Sequence, residues 1–154
     1  AGVGSIGLEA LRIRSNLKLF ALDKRVGCKE LIKTNAKRLS VEPFAISESD
    51  ALSTLINKKI PPELIPPDRV LLGGGGVNRA PILKKIIELL KPNGIVVIPL
   101  STLQAVNEIE EVLSSTACNF KVSQHQAYRG IKLGEGTRLA PINPVFILKG
   151  KKEA

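Results

Sequence analysis

The sequence predicts an α/β fold, a doubly wound and mostly parallel sheet with a C-terminal antiparallel hairpin. Three observations predict it. Short apolar runs alternate with amphipathic stretches through the first three quarters of the chain, the rhythm of strands and crossover helices. Glycine-rich or acidic segments follow the apolar runs, where such sheets place their ligands. Near the end the rhythm changes to two extended stretches around a glycine-containing loop, which reads as a hairpin.

Taken in order, Gly2-Val3-Gly4-Ser5-Ile6-Gly7 opens the chain and leads into a short apolar helix marked by Leu8 and Leu11. Leu17–Leu22 reads as a buried parallel strand ending at Asp23. Val26–Leu39 reads as a helix with Leu31, Ile32, Ala36 and Leu39 on one stripe, followed by a short strand over Phe44–Ile46. Ala51–Lys58 is a helix stopped by Pro61 and Pro62, and the four prolines of residues 59–67 exclude regular structure there. Arg69–Leu72 is a strand that runs into Gly73–Gly76. Ala80–Leu90 carries Ile82, Leu83, Ile86, Ile87 and Leu90 at core spacing; Pro92-Asn93-Gly94 is a turn, Ile95–Ile98 a strand and Leu103–Ser114 a helix. Phe120–Tyr128 and Pro144–Lys149 form the closing antiparallel pair. Only Ala1 precedes the first glycine loop, so the strand that ought to feed it is expected upstream of this chain.

The chain has 154 residues, the length of one domain, residues 1–154. Hydrophobic residues at 44% and charged residues at 24% place it among globular rather than disordered chains. Its longest apolar run, Ile95–Leu100, is far short of the ~20 residues of a membrane span. With no basic-then-apolar leader in view, a cytoplasmic protein is expected. Cys28 and Cys118 are too few for a disulfide scaffold and lack zinc-site spacing, so they read as reduced thiols. A lone histidine, His125, excludes a multi-histidine metal centre, and no metal is expected.

The charge is more telling. The net charge is +9. Residues 1–40 hold nine basic and three acidic side chains, residues 119–152 seven and one, and the middle is slightly acidic. Two basic ends suggest a polyanionic partner, nucleic acid or a small molecule with many carboxylates, against the plain alternative of a solvated surface. Aromatic residues make up 3%, which disfavours a nucleic-acid platform built on base stacking.

Chemistry-bearing groups sit at the ends of the expected strands. The Gly2–Gly7 segment is a G-x-G-x-x-G turn before a helix, and Asp23 follows Gly4 by 19 residues at the next strand end. Together they point to a nucleoside-containing cofactor, the acid holding ribose hydroxyls, rather than an ordinary glycine turn. Asp50 follows the third expected strand and either accepts from an exocyclic amino group or caps the helix at Ala51. Gly73-Gly74-Gly75-Gly76-Val77-Asn78-Arg79 suggests close backbone approach to a ligand rather than mere flexibility. No Asn-Pro-Pro-Tyr motif for base amines occurs there. His125 reads as a surface residue rather than a base, and no Ser/His/Asp or Cys/His set stands out.

The string AGVGSIGLEAL resembles the middle of the cofactor loop of class I S-adenosylmethionine-dependent methyltransferases. More narrowly, it is similar to the decarboxylating precorrin and cobalt-precorrin C15-methyltransferases of cobalamin biosynthesis, whose loop reads Asp-x-Gly-Ala-Gly-x-Gly-Ser-x-x-x-Glu. That pattern is matched from Ala1 through Gly2, Gly4, Ser5 and Glu9; its Asp and first glycine lie before Ala1. The likeness continues through LFALDKR, LIKTNAKRL, SDAL, DRVLLGGGG, LKPNG and INPVFILKG, essentially the whole chain. Similar proteins also form the C-terminal half of a fused enzyme whose N-terminal half methylates C5.

The resemblance implies a Rossmann-like methyltransferase sheet, S-adenosyl-L-methionine as cofactor, and C15-methylation with decarboxylation of the C12 acetate of a tetrapyrrole. It places Gly2 and Gly4 under the methionine part of the cofactor, Asp23 on the ribose, and Asp50 with Ala51 beside the adenine. It turns Gly73, Gly74, Gly75, Gly76, Asn78 and Arg79 toward the precorrin, with Arg129 and Arg138 on its carboxylates. It implies neither membrane nor nucleic-acid partner and leaves a homo-oligomer open. An RNA methyltransferase and a non-catalytic nucleotide-binding domain remain alternatives on the residues alone.

Overall fold

The computed structural model describes residues 1–73 and 76–154. The chain divides into two compact units, Ala1–Pro67 and Asp68–Ala154, with the boundary at the end of the proline-rich stretch.

The first unit runs α1 (Ser5–Ile13), β1 (Phe20–Asp23), α2 (Cys28–Leu39), β2 (Ala45–Glu48) and α3 (Ala51–Ile56). Strands β1 and β2 pair in parallel, with Ala21 opposite Ile46 and Asp23 opposite Glu48; a parallel pair needs a crossover, and α2 supplies it. Leu8 and Leu11 from α1, Ala21 from β1, and Ile32 and Ala36 from α2 form the core, with Leu19, Leu39, Val41 and Ile46 packed against it. Each fully buried Leu or Ile contributes about 1.5–3 kcal/mol. Leu31, expected on the buried stripe, is 44% exposed, because the stripe set by Ile32 and Ala36 turns its neighbour outward.

Element boundaries shift locally. The first strand starts at Phe20 rather than Leu17 and includes Asp23. Helix α2 starts at Cys28, because Gly27 is its left-handed N-cap. Helix α3 stops at Ile56, and Lys59 N–H closes the turn on the Thr54 carbonyl at 2.9 Å. The proline-rich stretch holds one 3₁₀ turn, Pro62–Leu64, and is otherwise irregular as expected.

The second unit contains β3 (Arg69–Leu71), a 3₁₀ turn over Gly76–Asn78, α4 (Arg79–Leu89), β4 (Ile95–Leu100), α5 (Leu103–Ser114), β5 (Cys118–His125), β6 (Tyr128–Leu133), β7 (Gly136–Pro141) and β8 (Val145–Lys152). Its main sheet has the order β3-β4-β8-β5. Strands β3 and β4 are parallel, and β8 is antiparallel to both of its neighbours. Along β4, Val96, Ile98 and Leu100 are buried while Ile95, Val97 and Pro99 are half-buried, so one face carries the core. Ile82, Leu83, Ile86 and Ile87 of α4 and Val106, Ile109, Val112 and Leu113 of α5 are buried with it. The fit is close: a Cβ on Gly150 of β8 would stand 3.1 Å from Leu113 Cδ2 and 3.1 Å from Val96 Cγ1. Strand β4 passes through Pro99 because its pairing with β3 ends at Val97, where no ladder partner on that side needs the missing N–H. Lys152 Nζ donates to the carbonyls of Ile87, Glu88 and Leu90 at 2.7, 3.2 and 2.9 Å, satisfying the C-terminal carbonyls of α4.

The expected C-terminal pair is present: β5 and β8 run antiparallel, from Cys118 opposite Lys152 to His125 opposite Val145. The connection between them is more than a loop. Tyr128, expected to finish the first strand, instead begins β6, which pairs with β7 in a hairpin of its own with Leu133 opposite Gly136. Gly134 adopts φ 57° in the two-residue turn between them, the conformation such tight turns require.

Candidate functional site

The first unit brings three predicted segments to one strand-end region. Gly4 N–H donates to the Ala1 carbonyl at 3.0 Å, closing the turn. Gly4 is the N-cap of α1 at φ 83°, and no side chain caps that helix, so its first N–H groups are open to an acceptor. A Cβ at Gly4 would meet Leu8 Cδ1 at 3.1 Å and Ile32 at 3.2 Å, and one at Gly7 would meet Leu19 Cδ2 at 3.0 Å. The third glycine therefore serves helix–strand packing, the role it has in dinucleotide turns.

Asp23 lies at the end of β1 beside this turn. Its Oδ2 accepts from Gly2 N at 2.6 Å, from Arg25 Nη2 at 3.1 Å and from Ala1 N at 3.0 Å. Its Oδ1 accepts from Arg25 N and Arg25 Nε, both at 3.0 Å. The Arg25 guanidinium, with the Gly2 and Arg25 N–H groups behind it, holds this carboxyl far below the usual carboxylate range, against the opposing effect of burial. Asp23 is ionised at any physiological pH.

Glu48, to which the sequence assigns no role, stands opposite Asp23 and puts a second carboxylate at the neighbouring strand end. Its Oε2 accepts from Lys29 N at 3.3 Å and lies 3.8 Å from Cys28 Sγ, whose other partner is the Asp23 carbonyl at 3.5 Å. Burial first, then the Glu48 charge, pushes the Cys28 thiol up. Cys28 is a protonated, buried thiol, and Cys118 is likewise free and buried.

Asp50 is the N-cap of α3, with Ser53 N donating to its Oδ1 at 2.9 Å, and Ala51 is the first residue of that helix. The capping alternative is therefore realised. Behind it the hydroxyls of Ser47, Ser49 and Thr54 run in a chain at 2.8 and 2.9 Å, and buried Thr54 donates to the Asp50 carbonyl at 2.7 Å. This chain pins the Asp50 backbone; the clustering of Ser and Thr around Asp50 was its signal in the sequence.

In the second unit, Gly73 follows β3, and Gly76 opens the 3₁₀ turn at φ 59°. Gly74 and Gly75 lie outside the described residues. Asn78 sits at the N-cap of α4 without a side-chain cap bond, and Arg79 is the first residue of that helix. Arg79 Nη1 donates to Glu108 Oε2 of α5 at 2.7 Å, so the guanidinium is oriented by a carboxylate from the same unit. Arg129 lies on β6 opposite Ala140 and Arg138 on β7 opposite Ile131. Directly opposed residues share a face, so both arginines stand on one side of the hairpin, diagonal neighbours about 7–8 Å apart. Both are exposed, as is His125, whose Nε2 is 3.0 Å from Ser123 Oγ. Two shallow surface depressions of about 500 Å³, one lined by Lys84, Glu88 and Lys152 and the other by Lys18, Val41 and Phe44, contain none of the predicted residues.

The first unit thus sets a glycine turn, an uncapped helix N-terminus and an acid at the next parallel strand end side by side, on an α/β fold that solved methyltransferases share. Solved structures agree. The precorrin-6y C5,15-methyltransferase of Geobacter metallireducens matches with a TM-score of 0.86 and 26% identity, over 99% of this chain and 77% of that one. The precorrin 8W decarboxylase of Methanobacterium thermoautotrophicum matches with a TM-score of 0.80 and 25% identity, over 96% and 75%. A precorrin methyltransferase domain family model matches residues 1–152. The chain is also 32% identical over 149 residues to the probable cobalt-precorrin-6B C(15)-methyltransferase (decarboxylating) of Pyrobaculum aerophilum, covering 96% of this chain and 73% of that protein. The chain belongs to the precorrin methyltransferase family.

Proposed function

We propose that this chain, acting as one catalytic domain over residues 1–154, methylates C15 of a precorrin or cobalt-precorrin from S-adenosylmethionine and removes carbon dioxide from the C12 acetate, a step of cobalamin biosynthesis. The observation that carries the reading is the family match over residues 1–152.

The first unit suits the cofactor on three structural counts: a turn at Gly2 and Gly4 with no Cβ in the way, the uncapped N-terminus of α1, and an ionised acceptor at Asp23. Gly2 and Gly4 would pass under its methionine part. Asp23 would accept from the ribose hydroxyls. Ala51 would flank the adenine, and Asp50 would meet the adenine amino group with the oxygen not engaged in capping α3. When bound, S-adenosylmethionine supplies an electrophilic methyl group.

The substrate carbon contributes the electron pair of the new carbon–carbon bond, so no strong base is needed to start the transfer. The protein's task there is orientation. Loss of carbon dioxide leaves the C12 methylene with an electron pair that the conjugated macrocycle delocalises until a proton from solvent completes the C12 methyl group. Arg79, Arg129 and Arg138 would hold the remaining acetates and propionates, for which guanidinium groups suit planar carboxylates. Gly73, Gly74, Gly75, Gly76 and Asn78 would give the macrocycle close access to backbone.

The test is incubation of the protein with S-adenosylmethionine and cobalt-precorrin-6B, followed by mass spectrometry. A product that has gained one methyl group and lost one carbon dioxide is expected. Methyl incorporation into RNA with none into the tetrapyrrole would overturn the reading. Calorimetry showing a preference for NAD over S-adenosylmethionine would point to a nucleotide-binding domain instead.

A further inference from the structure

We propose that Arg25 is a competitive occupant of the cofactor site: its guanidinium fills the face of Asp23 that the ribose diol needs and must leave for the nucleoside to bind. The inference rests on the reading of Asp23 as the ribose acceptor. Two observations carry it.

The first is a count of acceptor capacity. An ionised carboxylate has about four lone-pair positions. Gly2 N and Arg25 Nη2 take Oδ2 at 2.6 and 3.1 Å, while Arg25 N and Nε take Oδ1, each at 3.0 Å. These four donors, without Ala1, already fill the group. Two ribose hydroxyls therefore bind only if donors are displaced. The Gly2 and Arg25 N–H groups belong to the backbone of the turn and strand end and are fixed. The displaceable donors are the two on the Arg25 side chain, which is 64% exposed against 14% for Asp23.

The second observation is steric. Arg25 Nη2 lies 3.0 Å from the position a Cβ on Gly2 would take. The guanidinium therefore also covers the bare backbone of the glycine turn over which the cofactor would pass. One side chain thus blocks both the acceptor and the approach, and a vicinal diol is the ligand group that can return two donors to the two oxygens it vacates. The latch is a charge pair that salt weakens, whereas the diol bond to Asp23 needs no cation.

The probe is adenosine, which is neutral, so that any salt dependence of its binding reports on the protein's own pair. Its affinity is measured by calorimetry for the wild-type chain, Arg25→Gln, Arg25→Lys and Asp23→Asn, from low to high ionic strength, with thermal melting of each variant alongside. Arg25→Gln is expected to bind adenosine about three- to tenfold more tightly at low salt, the range set by a partly exposed bidentate pair. Wild-type affinity should rise with salt, and that of Arg25→Gln should not. Arg25→Lys should fall between them, because an ammonium keeps the charge but loses the fork. Equal or weaker binding by Arg25→Gln, with Asp23→Asn still weakened, would overturn the latch and leave Arg25 supporting the acid. Unweakened binding by a folded Asp23→Asn would overturn the ribose reading of Asp23 itself, as would the absence of saturable binding by every variant.

Discussion

The strand ends of the first unit and the hairpin of the second hold their polar groups in opposite ways. At Asp23 the polar groups converge, with backbone N–H groups and a forked arginine around one largely buried carboxylate. On β6 and β7, Arg129 and Arg138 stand on one face of an exposed two-stranded ribbon, spaced by the ladder register. The first arrangement suits a small ligand of fixed shape, recognised by geometry. The second suits a large ring with carboxylates around its rim, recognised by charge at several separated points. Apart from Arg25, whose charge pair with Asp23 salt weakens, substitutions should therefore act sharply and with little salt dependence in the first region, and weakly and with strong salt dependence in the second.

The largest expected effect is on Gly4. A Cβ there is placed in the left-handed region at φ 83° and lies 3.1 and 3.2 Å from Leu8 and Ile32. Gly4→Ala should cost about 2–4 kcal/mol by thermal or denaturant unfolding, combining backbone strain with overpacking. Gly27 has a similar φ of 81° but nothing within 4 Å of its would-be Cβ. Gly27→Ala should therefore cost only about 1–2 kcal/mol. Equal losses at the two sites would show that packing at the turn adds nothing.

Next is Asp23. Asp23→Ala should weaken S-adenosylmethionine binding by about 1.5–3 kcal/mol, the worth of hydrogen bonds to a charged group. Its depressed pKa also makes a stability prediction. A carboxylate whose folded pKa lies below its unfolded one binds protons more readily when unfolded. Its stabilising contribution is therefore complete above the ordinary carboxylate range and drains away as the pH falls toward the folded value. Asp23→Asn should be less stable than wild type near neutrality, and the gap should narrow on acidification. A constant gap in acid unfolding curves would mean that the Arg25 pair contributes no linkage.

The same contrast explains what the sequence reveals. Around Asp23 the information is local: glycines at fixed offsets, an acid at a strand end and a capping Asp50 are all visible as short strings. The turn geometry and the Asp50 cap follow from them. The β6–β7 ribbon left little trace, because YRGIKL and GTRLAP are exposed along most of their length and bury no alternating face for hydrophobic periodicity to mark. Long-range polar pairs are equally silent in sequence. Glu108 is 29 residues from Arg79, and only folding brings them to 2.7 Å. The Arg25 fork on Asp23 is close in sequence, yet only the fold shows that Nε and Nη2 each reach a different oxygen of the carboxylate.

On the hairpin, Arg129→Ala and Arg138→Ala should each raise the KM for the tetrapyrrole about two- to tenfold, as expected of exposed or partly desolvated charge pairs. S-adenosylmethionine affinity should be unchanged and the defect should shrink as salt is added. A loss of cofactor binding in either variant, or a salt-independent defect, would erase the distinction between the two regions.

The smallest expected effect is at His125, which tests whether the second region holds a proton-transfer group. His125 is the chain's sole histidine. It ends β5 opposite Val145, is exposed, and has its Nε2 3.0 Å from Ser123 Oγ, with no carboxylate orienting its ring among the described residues. A base that works in catalysis is usually held by a third group and sits within reach of the proton it takes. The first condition is not met at this strand end. The chemistry proposed for the family needs no such base either, since the macrocycle supplies electrons for methylation and accepts them on loss of carbon dioxide. His125→Gln should therefore leave stability within about 0.5 kcal/mol and the rates of methylation and decarboxylation within about twofold, less than a tenfold change would require. A selective loss of decarboxylation, with methylation intact, would place an acid–base group on the strand end and make the second region a site of chemistry as well as of charge.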